Sequence, residues 1–133
     1  MKKYSNGYTL IELMVVIVII AIVAGYFSFK FSGFLDTIKL RSAARAVAVD
    51  LRSAQMSALA QHTEKEIIFN AHNYTKDEKT RSLPSAVSVA NPQKIIFGAT
   101  GMPKPGNFGT VILSCHGKTI SIIISSAGRI RIE

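Results

Sequence analysis

The chain has 133 residues, of which 48% are hydrophobic and 18% charged, and its net charge is +8. This length suits one compact domain with a long helix and excludes two ordinary domains, and the low charge fraction excludes a globally disordered chain. The single cysteine, Cys115, excludes a disulfide-stapled module; inside the apolar run Val111 to Cys115 it is expected in the core.

In chain order, the first feature is an apolar run. Leu13 to Phe29 carries no charge, and adding Leu10 to Glu12 brings in one carboxylate. A helix of twenty residues would span roughly 30 Å, about the thickness of a bilayer's hydrocarbon core. Lys2 and Lys3 precede the run and Lys30 closes it, which favours a cytoplasmic N-terminus and a single-pass topology. A cleaved secretory signal is disfavoured, because the polar stretch Tyr4 to Thr9 and Glu12 interrupt its pattern and no small-x-small site follows.

Glu12 admits two readings. In one, Thr9 is the N-cap of the helix and Glu12 reaches back from three residues on as a capping box. In the other, Glu12 meets a positive charge within an assembly, such as a free amino group at Tyr8 if the chain were cut after Gly7. A carboxylate among apolar side chains needs such a partner. The two readings are compatible in different states.

Gly7-Tyr8-Thr9-Leu10-Ile11-Glu12-Leu13-Met14-Val15-Val16 resembles the type IV prepilin cleavage and methylation motif. The resemblance implies that a prepilin peptidase cuts between Gly7 and Tyr8 and N-methylates Tyr8. It also implies that Glu12 pairs with a neighbouring subunit's amino terminus and sets the axial register. Most relatives carry Phe where this chain has Tyr8. Loss of residues 1–7 removes Lys2 and Lys3.

Asp36 to His62 is expected to be helical, with Leu40, Ala44, Val47, Leu51, Ala54, Ala58 and Leu59 on the inner stripe at spacings of mostly three and four. Arg41, Arg45, Arg52, Gln55 and Gln61 mark the polar side, and Asp50 reads as a solvated residue. Gly33 is a weak point, but no proline separates this helix from the apolar run, so one long helix is expected. Glu66 to Asn70 and Lys94 to Phe97 are strand candidates. Thr75 to Arg81, with five charges in seven residues, reads as a solvated loop. Gly98 to Gly109 is a turn-rich connection. Thr110 to Cys115, Thr119 to Ser125 and Arg129 to Ile132 form an expected antiparallel meander, with Ile120, Ile122 and Ile124 facing the helix.

The resemblance extends here. Asp50-Leu51-Arg52-Ser53-Ala54, Ile96-Phe97 before Gly101, Gly109 before Val111-Ile112-Leu113, and Gly128-Arg129-Ile130-Arg131 are similar to segments of GspH/FimT-type minor pseudopilins. That family implies an α+β pilin-like fold, a long N-terminal transmembrane and amphipathic α-helix packed on a small antiparallel β domain, often of two sheets. The expected divisions are a leader at 1–7, a transmembrane and assembly helix at 8–29, its amphipathic continuation at 30–62 and the β domain at 63–133.

No enzyme is expected. His62, His72 and His116 are well separated, no nucleophile elbow or phosphate loop occurs, and neither a metal nor a cofactor is expected. Arg129 and Arg131 share one face of a strand. They form either a solvated face or a small phosphate-contacting patch, and the resemblance adds DNA uptake as an alternative.

The expected function is a minor pilin or pseudopilin near the tip of a type II secretion pseudopilus or type IV pilus. A DNA-binding minor pilin and an anchored periplasmic module that does not polymerise are the alternatives. The partners implied are prepilin peptidase, other major and minor pilins, an inner-membrane assembly platform, membrane lipid, and secreted cargo or DNA. The location implied is the inner membrane, with the C-terminal domain periplasmic.

Overall fold

The computed structural model describes residues 8–133, with side chains throughout except at 27–32. Helix α1 runs Leu10–Gln61 without interruption at Gly33. Two compact units divide between Leu35 and Asp36.

The first unit holds the apolar stretch of α1. The transmembrane expectation is overturned here: among the described residues, no helix is long and apolar enough to cross a membrane. The helix carries Glu12 in its first turn. The single-pass inner-membrane location falls with that expectation.

The second unit joins the remainder of α1 to eight strands. They are β1 (Lys65–Phe69), β2 (Asn73–Lys76), β3 (Lys79–Ser82), β4 (Ser88–Val89), β5 (Lys94–Phe97), β6 (Gly109–Cys115), β7 (Lys118–Ile124) and β8 (Ile130–Ile132). They form two four-stranded sheets, ordered β3-β2-β1-β5 and β4-β6-β7-β8. Every pairing is antiparallel. Alternation sets the inner face of each strand: Ile67 and Phe69, Ile95 and Phe97, Val111, Leu113 and Cys115, and Ile122 and Ile124 are buried. Ala43, Ala44, Ala48, Ala54 and Ala58 make a small-residue stripe on the helix that is buried together with Leu40, Val47 and Leu51. Leu59, expected on that stripe, is exposed instead.

The segment expected to be a charged loop is a hairpin. Lys76 pairs with Lys79 across a two-residue turn. Asp77 and Glu78 both adopt positive φ, at 48° and 66°. This matches the right-handed twist of a two-residue hairpin.

Gln55 ties α1 to two turns. Its Nε2 donates to the carbonyls of Gly101 at 2.9 Å and Gly128 at 3.0 Å. Gly128 has φ +79°, and a Cβ there would stand 2.6 Å from that same nitrogen. Gly128→Ala therefore both strains the backbone and dislodges Gln55. It is expected to lower stability by about 2 kcal/mol or more, read as a reduced denaturation midpoint at unchanged m-value.

Candidate functional site

The first candidate surface is the start of α1. Thr9 precedes the helix, and its Oγ1 accepts the backbone N–H of Glu12 at 3.3 Å. Thr9 is thus the N-cap. The cap engages the main chain of Glu12, and the Glu12 carboxylate has no partner among the described residues. Glu12 is exposed, and so is Tyr8, at 84%. The aliphatic residues that follow are exposed on every side of the helix, including Leu10, Ile11, Leu13, Met14 and Ile20. Such a helix needs apolar surroundings all round rather than on one stripe. Gly7 lies outside the described residues, so the bond expected to be cut carries no geometry here.

Arg129 and Arg131 are both exposed and flank the buried Ile130. Arg131 donates to the Glu133 carboxylate at 3.1 Å. A groove of about 580 Å³ has Arg41, Arg45, Lys118, Ile120 and Ile132 among its lining residues, but neither Arg129 nor Arg131 reaches it. The two arginines therefore do not converge with the other cations of that face into one pocket.

Sequence reasoning missed Asp50, which is 5% exposed. Its Oδ2 accepts the Tyr74 hydroxyl at 2.5 Å and the Arg81 guanidinium at 3.3 Å. Lys76 Nζ stands 3.8 Å from Oδ1 and also donates to Ser53 Oγ at 2.8 Å. Burial, followed by the adjacent Asp50 carboxylate, pushes the Tyr74 hydroxyl well above its usual pKa. Tyr74 and Lys76 reach one carboxylate because they are two apart on β2, and Arg81 joins them because it pairs with Tyr74 across the hairpin. The available signal was the i, i+2 spacing of Tyr74 and Lys76. The cluster ties the hairpin to α1 and offers no nucleophile.

Comparison with known proteins bears on the N-terminal motif and on the fold. Residues 2–27 match the model of the prokaryotic N-terminal methylation motif. No curated protein matches the chain in sequence. The fold is similar to the type IV minor pilin FimU of Pseudomonas aeruginosa. In one crystal form the TM-score is 0.62 at 20% identity, covering 75% of this chain and 92% of that one. A second crystal form gives 0.60 at 21% identity, covering 71% and 92%.

The chain has a pilin fold. At this identity the likeness is one of architecture: an N-terminal helix packed on a small antiparallel β domain.

Proposed function

We propose that this chain is a minor-pilin-like subunit that works by assembly, near the tip of a type IV pilus or a type II secretion pseudopilus. The observation that carries this reading is the apolar surface exposed around the start of α1. Each large aliphatic side chain that moves from water into a packed interface contributes about 1.5–3 kcal/mol. A continuous stretch of them on one helix is far beyond the scattered apolar residues of an ordinary surface. Neighbouring helices in a filament would enclose it. The methylation motif and the pilin fold support the same reading.

On this reading prepilin peptidase removes residues 1–7 and methylates the new amino group of Tyr8. Glu12 then receives that amino group from the adjacent subunit, within a bundle where water is scarce. Other pilins are the partners, and an assembly platform supplies the work of insertion. The β domain, with its two sheets, selects the position in the filament.

The test is the intact mass of the chain recovered from cells with an assembly system. The expected product begins at Tyr8 and carries one added methyl group. Gly7→Val is expected to leave residues 1–7 attached and to exclude the chain from sheared filaments. A native chain that retains Met1 to Gly7 in filaments would overturn the reading.

A further inference from the structure

We propose that Asp36, Cys115 and His116 form a binding site for a divalent transition-metal ion of borderline softness, with zinc the best fit. The three residues come from two places in the chain: Asp36 from α1, and the consecutive Cys115 and His116 from the end of β6 and the turn that follows it. Their ligand atoms all lie within 4.8 Å of one another. His116 Nδ1 is 3.0 Å from Asp36 Oδ2 and 3.9 Å from Cys115 Sγ.

Bonds of about 2.0–2.3 Å at a tetrahedral zinc put neighbouring ligand atoms roughly 3.3–3.8 Å apart. The observed separations bracket that range, so small side-chain rotations complete one face of a tetrahedron. The fourth position falls to water or to a group from outside. Cys115 is buried and holds the inner corner, while the His116 side chain is 69% exposed and leaves an approach from solvent. A set of one sulfur, one nitrogen and one oxygen suits zinc or cobalt and is foreign to magnesium and calcium, which take oxygen ligands. On binding, the Cys115 thiol releases its proton to solvent, and the thiolate and the Asp36 carboxylate together neutralise the dication.

Lys118 opposes the cation. Its ammonium donates to Thr37 Oγ1 at 2.7 Å, next to Asp36 in the chain. That charge sets the affinity below that of a four-ligand structural site. His116 and Gly117 form a two-residue turn with φ of 44° and 81°. Asparagine or glycine fits the first of these positions with less strain than histidine does. Histidine there brings an imidazole onto Asp36 and Cys115 that the turn itself does not require. Neither His62 nor His72 belongs to this group. The inference is independent of filament assembly.

The experiment is a cobalt(II) titration of the untagged full-length chain in mild detergent, followed by displacement with zinc. One equivalent of cobalt is expected to produce a thiolate-to-metal charge-transfer band together with the visible bands of tetrahedral cobalt. Zinc should abolish both. Cys115→Ser should remove the charge-transfer band. His116→Asn, which retains a residue suited to positive φ, should weaken binding roughly tenfold or more while leaving the metal-free melting temperature unchanged or raised. Asp36→Asn should also weaken it. Absence of the charge-transfer band in the wild-type chain would overturn the proposal, as would a band that persists at unchanged affinity in both His116→Asn and Asp36→Asn.

Discussion

Asp50→Ala is expected to destabilise the protein by about 3 kcal/mol. The substitution removes the acceptor of the Tyr74 hydroxyl and the counter-charge of Lys76 and Arg81 at once. A buried hydroxyl left without a partner costs about 1–3 kcal/mol. Breaking a buried ion pair from one side costs about 3–5 kcal/mol. The second figure is discounted here because the Arg81 side chain is 61% exposed and regains water. For a domain of this size the sum corresponds to a fall of roughly 10–20 °C in melting temperature.

Asp50→Asn keeps an oxygen for Tyr74 and gives up only the charge, so its cost is expected to be smaller. The double variant Asp50→Ala with Tyr74→Phe is expected to recover about 1 kcal/mol relative to Asp50→Ala, because no hydroxyl is then orphaned. Urea denaturation followed by circular dichroism measures all three. A change within 0.5 kcal/mol for Asp50→Ala would return Asp50 to an ordinary surface role.

Asp50 also shows where the sequence stops being legible. The helix was readable because Leu40, Val47, Leu51, Ala54 and Ala58 repeat at helical spacing. The β6–β8 meander was readable because Ile120, Ile122 and Ile124 alternate with Ser121, Ile123 and Ser125, and short turns separate the strands. Both signals are local. The β2–β3 hairpin has almost no apolar residue of its own apart from Tyr74. What holds it is a carboxylate 24 positions earlier in the chain. Five charges in seven residues look solvated until one of their partners is known to be buried.

The same non-local pairing hid β4, a two-residue strand whose ladder is with β6 rather than with a chain neighbour. It also hid the convergence of Asp36 with His116, 80 positions away. The methylation motif was readable for the opposite reason. It is a contiguous string, so its recognition does not depend on the fold.

Glu12→Ala is expected to reduce incorporation into filaments at least tenfold while leaving the monomer's fold intact. The observed cap uses the Glu12 backbone N–H and Thr9 Oγ1. Alanine keeps that amide, so the helix start survives the substitution. What is lost is the carboxylate that, on the assembly reading, receives the Tyr8 amino group of the neighbouring subunit. Two unit charges 4 Å apart at an effective dielectric of about 20 attract by roughly 4 kcal/mol. Desolvation offsets part of this, and each 1.4 kcal/mol that remains is a factor of ten.

Thr9→Ala provides the contrasting case, with about 1 kcal/mol of helix stability lost and the carboxylate retained. It should incorporate far better than Glu12→Ala. Combining Glu12→Ala with Gly7→Val distinguishes the mechanism further. Without cleavage no amino group exists at Tyr8, so Glu12→Ala should add nothing to the exclusion that Gly7→Val causes alone. The amount of each variant in sheared filaments, normalised to its level in whole cells, is the measurement. Wild-type incorporation of Glu12→Ala would show that the carboxylate has no partner in the fibre.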